Sequence, residues 1–298
     1  MGNRIDRHPL TRETVLVTPN RLERPNAIID RERSEICPFC PGNEHETPPE
    51  IDRVESGDGD WLVRVVPNKY PIASPDLDLE GVHEVIVESR HHDDELSTME
   101  PDHVRTLVEV WLERIDRASS VESVETVILF RNRGIHAGES IRHPHTQLLG
   151  VPFIPDRIAS QRTSLDACIL CRGNTHLTIH TSPSFSLRAA PVSRFPHQLW
   201  IVPHSHEPSP RPVWSAQKDL ASMIQLAEAI LFDELGTISM NWAIIQAPVG
   251  EVDFHWYMEL SPRITGIAGL EIATGTYVNL IPPEESARRL KLRLEKRT

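Results

Sequence analysis

With 298 residues, 39% of them hydrophobic, the chain carries enough apolar material for a sizeable core, in one large domain or two fused smaller ones. A formal net charge of -12, with no run of more than two Lys or Arg, excludes a broad nucleic-acid surface, so any bound phosphate must be met locally. The opening MGNRIDRHPLTRETVLV has no continuous apolar stretch or small-residue cleavage site, and nothing later approaches a membrane span, which predicts a cytoplasmic protein.

In chain order the first strong signal is Cys37-Pro-Phe-Cys40, which returns as Cys168-Ile-Leu-Cys171 and accounts for all four cysteines. In a reducing compartment such pairs point to metal. After the first pair comes Arg64-Val-Val-Pro67-Asn-Lys-Tyr-Pro71, echoed after the second by Arg188-Ala-Ala-Pro191-Val-Ser-Arg-Phe-Pro196. His83-Glu-Val-Ile-Val-Glu-Ser-Arg-His-His92 is then echoed by His197-Gln-Leu-Trp-Ile-Val-Pro-His-Ser-His206. Helical spacing follows in each half, over Val104, Leu107, Val108, Trp111 and Ile115, and over Leu220, Met223, Leu226, Ile230 and Leu231. Next come apolar strands, Val127–Phe130 and Trp242–Ile245, each leading to a His-bearing segment. The chain is written twice, with the seam near residues 155–165. Halves of 1–158 and 159–298 are expected, each an antiparallel sheet backed by a helix, giving an α+β fold. The C-terminal EESARRLKLRLEK predicts one more helix.

Zinc favours four tetrahedral Cys and His ligands, and a CxxC turn supplies two. Equivalent positions of the repeat complete both sets: Cys37, Cys40, His92 and His143, then Cys168, Cys171, His206 and His255. With no open coordination position, both zincs are expected to be structural. Other histidines, such as His8, His45, His103, His136, His176 and His180, read as surface or loop residues.

Chemistry is expected where the copies differ. The first reads His143-Pro-His145-Thr-Gln147 and the second His255-Trp-Tyr257-Met-Glu259, so the ligand persists while His145 has become Tyr257. Alternate strand residues share a face, which sets His145 beside the metal-held His143. Imidazole is nucleophilic at neutral pH and leaves readily from phosphorus, so His145 can carry a nucleotidyl group. Gln147, on the same face, can donate to a non-bridging phosphate oxygen, as can Ser140 and backbone N–H groups near Gly138.

HPHTQ resembles the His-x-His-x-Gln motif of the histidine-triad superfamily, and its surroundings resemble the galactose-1-phosphate uridylyltransferase family over nearly the whole chain. DRHPLTRETVLVTPNRLERP, CPFCPGNEHETP, RVVPNKYP, GVHEVIVES and FRNRGIHAGESIRHPHTQ carry that resemblance in order. It implies duplicated histidine-triad-like half-domains, His145 as nucleophile, Gln147 as its phosphate partner, and Asn68, Asn132, Gly138 and Ser140 as nucleotide or phosphate contacts. Arg21 and Arg24 match family arginines that approach the sugar phosphate across a homodimer interface. The implied reaction is ping-pong, with His145 taking UMP from UDP-glucose and passing it to galactose 1-phosphate. Two departures stand out. Thr146 replaces the Gly of the family's HPHGQ string, on the face turned away from the site. The second CxxC, with His206 and His255, is more similar to the two-zinc branch containing ADP-glucose phosphorylases, whose acceptor is inorganic phosphate. A histidine-triad hydrolase would share His145 but admit water, and a structural zinc module would leave Gln147 unexplained.

Overall fold

The computed structural model describes residues 2–21, 36–57, 59–173, 175–210 and 216–297. Strands β1 (Arg4–Arg7) and β2 (Thr14–Val17) pair with each other. The first half continues with β3 (Asp52–Glu55), β4 (Trp61–Pro67), β5 (Val82–Val87), α1 (Pro101–Ser119), β6 (Thr126–Arg133) and β7 (His145–Val151). Two short helices, α2 (Asp156–Ala159) and α3 (Ile169–Arg172), lead to β8 (Thr178–Thr181), β9 (Phe185–Ala189), β10 (Leu199–Pro203), α4 (Gln217–Leu235), β11 (Met240–Ile245) and β12 (Tyr257–Pro262). Helices α5 (Gly269–Thr274) and α6 (Pro283–Glu295) close the chain, the latter on the segment that the sequence marks as helical.

The two halves repeat one strand order, β3-β4-β5-β7-β6 and β8-β9-β10-β12-β11, and are joined by antiparallel pairing of β6 with β11. The result is one continuous ten-stranded sheet in place of two separate ones. A strand left at the edge of each half would expose a row of unpaired N–H and C=O groups; pairing Met240 with Arg133 through Ile244 with Leu129 removes both edges at once.

Alternation along the strands divides the sheet's faces. Val63, Val65, Ile86, Leu129 and Leu148 join the main core with α1 and α4, whereas Val66, Val85 and Val87 belong to a smaller cluster with Phe39 and Trp61 on the opposite face. Pro101 opens α1 at its first turn, where a missing N–H costs nothing. Its buried stripe includes Val104, Leu107, Val108, Trp111 and Ile115, as the spacing predicts, and α4 buries Leu220, Met223, Ile230 and Leu231. The halves also interlock by side chains: Trp111 of α1 lies 5.0 Å, ring centre to ring centre, from Trp242 of β11.

The sequence echo between His83 and His197 is not an echo in space. His83 lies within β5 opposite Leu149, whereas His197 precedes β10 with a left-handed φ of 59° and its Nδ1 3.0 Å from Ser286 Oγ on α6. His103 is also neither a loop nor a surface residue: it sits half-buried on α1, where its Nε2–H donates to the Glu88 carbonyl at 2.7 Å.

Trp111 is 1% exposed and meets both halves. Trp111→Ala is expected to destabilise the protein by about 3–5 kcal/mol through lost burial and the cavity left behind. A chemical denaturation midpoint within error of the parent would show that this joint carries little of the stability.

Candidate active site and metal clusters

The two predicted ligand sets come together. In each, the four ligand atoms lie within 4.8 Å of one another, Cys37, Cys40, His92 and His143 in one cluster and Cys168, Cys171, His206 and His255 in the other. Cys40 Sγ is 3.4 Å from His92 Nδ1 and 3.6 Å from His143 Nδ1. In the second cluster, Cys171 Sγ is 3.3 Å from both His206 Nδ1 and His255 Nδ1. A tetrahedral ion with bonds of about 2.0–2.3 Å separates its ligands by similar distances, so the donor sets fit a metal ion. The outer ring nitrogens agree: His143 Nε2–H donates to the Ser89 carbonyl at 2.6 Å and His255 Nε2–H to the Pro203 carbonyl at 3.1 Å, leaving Nδ1 as the ligating atom in each. Burial pushes both imidazoles down to about 4, which keeps them neutral and able to ligate.

Beside the first cluster the sheet floors a cavity of about 320 Å³, lined by Phe39, Asn68, Lys69, Tyr70, Ser140, Ile141, His145 and Gln147 among others. His145 and Gln147 project from β7 on the same face, each 5% exposed. His145 Nδ1–H donates to the carbonyl of His143 at 2.8 Å, which places the ring's lone pair on Nε2. Phe39 stacks obliquely on the ring, centres 5.3 Å apart. Thr146 points to the opposite face and donates to the buried carboxylate of Glu88.

The other residues singled out in the sequence distribute unevenly. Asn68 and Ser140 line the cavity with His145. Asn132 is engaged at the seam, where its Oδ1 accepts from Asn241 Nδ2 at 2.9 Å. Gly138 ends the turn Ile135–Ala137 with φ of 82°, a left-handed conformation that explains glycine there. Arg21 donates to the Tyr70 carbonyl, bracing one wall of the cavity. Arg24 lies outside the described residues.

Sequence reasoning missed His83, whose Nε2 is 3.1 Å from Gln147 Oε1. The only signal was its position two residues before Val85, the residue paired with Gln147. It also missed how the second half closes its copy of the site. There Tyr257 Oη donates to Gln161 Oε1 at 2.8 Å, and Glu259 pairs with Arg157 at 2.9 Å and Arg194 at 2.5 Å. The seam residues Arg157 and Gln161, with Arg194, therefore engage the second-half counterparts of Gln147 and His145. Burial, reinforced by Glu259, raises the Tyr257 phenol to about 12, so it stays protonated.

Both halves share one strand order and one Cys/His set, and only the first carries a histidine two residues after its buried cluster histidine. A model of the N-terminal domain of the DUF4931 family of unknown function matches residues 18–154. ADP-glucose phosphorylase of Arabidopsis thaliana is 27% identical, aligned over 94% of this chain and 90% of the relative. Galactose-1-phosphate uridylyltransferase of Thermotoga maritima is also 27% identical, over 95% and 96%. The crystal structure of the Arabidopsis phosphorylase with bound ADP-glucose superposes with a TM-score of 0.81 at 27% identity, over 97% of this chain and 98% of that one. The resemblance drawn from HPHTQ and its flanking segments is thereby borne out: this chain's homologues are galactose-1-phosphate uridylyltransferases and an ADP-glucose phosphorylase.

Metal analysis of the purified protein is expected to give two ions per chain, falling to one in Cys171→Ser; an intact, folded protein with none would refute the cluster reading. A second expectation concerns Glu139, beside the site loop. Burial raises its carboxyl to about 7, although Gly134 N–H donates to it at 2.9 Å. A raised carboxyl stabilises the fold fully below the unfolded value near 4.5 and loses that contribution as pH rises through about 7. Glu139→Gln should therefore gain stability relative to the parent between pH 5 and about 8, and parallel melting profiles across that range would contradict the assignment.

Proposed function

We propose that the protein is a nucleotidyltransferase that passes a nucleoside monophosphate from a nucleotide sugar to an acceptor phosphate through a covalent bond to His145. The observation that carries this reading is the His145 ring itself, oriented by the His143 carbonyl in the cavity wall beside Gln147. The Nε2 lone pair attacks the α-phosphorus, and the bond to the bridging oxygen breaks with its electron pair on the departing sugar 1-phosphate. The acceptor's phosphate oxygen then attacks the same phosphorus, and the P–N electron pair returns to Nε2. Nδ1–H stays on the His143 carbonyl throughout, which stabilises the positive ring of the intermediate. Gln147 and Ser140 donate to the non-bridging oxygens as charge develops, while Asn68 and the apolar walls from Phe39 and Tyr70 receive the nucleoside.

The main reading is transfer of UMP from UDP-glucose to a hexose 1-phosphate, as the Thermotoga relative's name implies. The second is phosphorolysis of ADP-glucose with inorganic phosphate as acceptor, favoured by the Arabidopsis phosphorylase and its ADP-glucose complex. In both, Asn132, Gly138, Arg21 and Arg24 would serve around the phosphates. Zinc is the metal best suited to the two Cys2His2 clusters, where it would tie loops together without activating water. The matching strand orders support halves of 1–158 and 159–298. Exposed Leu270, Ile272, Val278 and Leu280 suit coverage by a second copy in a homodimer. Among the described residues no helix is long and apolar enough to cross a membrane, which accords with a cytoplasmic site of action.

Intact-mass measurement at mildly alkaline pH, after separate incubation with UDP-glucose and ADP-glucose without acceptor, tests this directly. A uridylyl or adenylyl adduct absent from His145→Ala is expected, and its mass identifies the base. Gln147→Ala should form the adduct about 10²–10³-fold more slowly. Donor turnover without any acceptor would favour the hydrolase, and no adduct with either donor would sink the covalent proposal for both.

A further inference from the structure

Gln147 can act as a phosphate donor only if its amide presents –NH2 to the cavity, and a glutamine carries nothing in itself that favours one flip over the other. The geometry around it decides the matter through residues that the sequence did not single out together. The Ile72 backbone N–H lies 3.0 Å from His83 Nδ1. A backbone amide only donates, so Nδ1 must be the acceptor and the neutral ring carries its proton on Nε2. That nitrogen is 3.1 Å from Gln147 Oε1 in a fully buried contact. Asn68 repeats the pattern one step away: its Oδ1 accepts from Tyr70 N–H at 2.9 Å, which turns its Nδ2 toward the same Gln147 oxygen at 3.4 Å. Asn68 Nδ2 is also 3.2 Å from His83 Nε2, so the two donors converge on one acceptor.

We propose that His83 is a positioning residue for the transfer reaction: its Nε2–H, together with Asn68, holds the Gln147 carbonyl oxygen away from the substrate, so that the Gln147 amide N–H groups face the α-phosphate. The inference rests on the nucleotidyl-transfer reading for its consequence, though its geometry stands without it. The order originates in the segment 70–72, whose backbone N–H groups fix both His83 and Asn68. That segment is itself held from outside: Asn3 Nδ2 donates to the Ile72 carbonyl at 2.9 Å, Asn20 Nδ2 to the Pro71 carbonyl at 2.7 Å, and Arg21 to the Tyr70 carbonyl. A chain of directional hydrogen bonds thus runs from residues flanking the N-terminal β1–β2 pair, through one loop and one imidazole, to the Gln147 amide. Were the amide reversed, an oxygen would face the phosphate oxygens and a donor would become a repulsion at the point where charge develops.

Two measurements test this on the full-length protein. Long-range 1H–15N correlation spectra of histidine-labelled protein, assigned with His83→Gln, should show His83 as the Nε2–H tautomer; the Nδ1–H tautomer would overturn the proposal whatever the substrate. Single-turnover adduct formation, with whichever of UDP-glucose or ADP-glucose labels the parent, is the second. His83→Phe should slow it about ten- to a hundredfold, less than loss of the donor itself, with donor affinity, metal content and melting temperature retained. His83→Gln, which restores an N–H donor near the Nε2 position, should recover part of the rate. In a Gln147→Ala background, His83→Phe should add nothing further, whereas a fully additive loss would show that His83 does not act through Gln147. Absence of an adduct on the parent protein would count against the transfer reading, while the tautomer result still decides the role of His83.

Discussion

One residue, His143, carries two constraints that the rest of the site depends on. Its ring belongs to the first Cys/His cluster, with Nδ1 toward Cys40 and Nε2–H on the Ser89 carbonyl, while its own carbonyl accepts the Nδ1–H of His145. The His145 ring is therefore positioned relative to the cluster by a two-residue step that leads into β7 and by one hydrogen bond. Pro144 between them has no N–H to offer a competing partner, and its carbonyl is tied down by Glu88 N–H at 3.0 Å. A metal ion bound there would be held by four protein ligands. It would fix the cysteine loop, the Ser89–His92 segment and the start of β7 against one another, and so fix the orientation of the His145 ring in the cavity wall.

The second half keeps part of this arrangement without the second histidine. Its cluster keeps the same ligand set and the same outer hydrogen bond, from His255 to a strand-end carbonyl. Two residues further on, a phenol replaces the imidazole, and a carboxylate stands where the amide would be. A carboxylate 7% exposed needs partners, and Arg157 and Arg194 supply them. Those side chains, with Gln161 on the phenol, engage the counterparts of His145 and Gln147 in the second half. The Cys/His set is thus common to both copies, whereas the cavity beside it is lined by His145 and Gln147 in the first.

The duplication made much of this legible. Matching ligands in both copies identified eight side chains that the structure gathers into two clusters, and comparison of His145 with Tyr257 marked the half that differs. Helical spacing located α1 and α4 because burial of one stripe is a local pattern. What periodicity reports is the face a residue takes, never its partner. The β6–β11 joint could not be read for that reason, nor could the hydrogen bond from Asn241 to Asn132, nor the convergence of His83 and Asn68 on one amide oxygen. The His83–His197 echo misled because the same letters fall at a strand interior in one copy and at a left-handed turn in the other.

Thr146 shows how the two faces of β7 divide their work. Its hydroxyl donates to Glu88, a carboxylate with no exposed surface, which pairs at 3.0 Å with the buried guanidinium of Arg131. Arg131 in turn lies 3.3 Å from Glu228 on α4, so the network reaches from the back of the site strand into the helix of the other half. Burial raises both carboxyls, opposed by the shared guanidinium, which is the condition under which one cation and two acids can share a dry space. Such a group is a poor source of net stability, because its desolvation offsets its attraction, but it is intolerant of rearrangement: displacing any member strands a buried charge at a cost of about 3–5 kcal/mol. The back of β7 is thereby locked to the joint between the halves. Its front carries His145 and Gln147, which meet a carbonyl and an imidazole respectively, and a glycine at position 146 would keep that front while removing the hydroxyl that ties it to the joint.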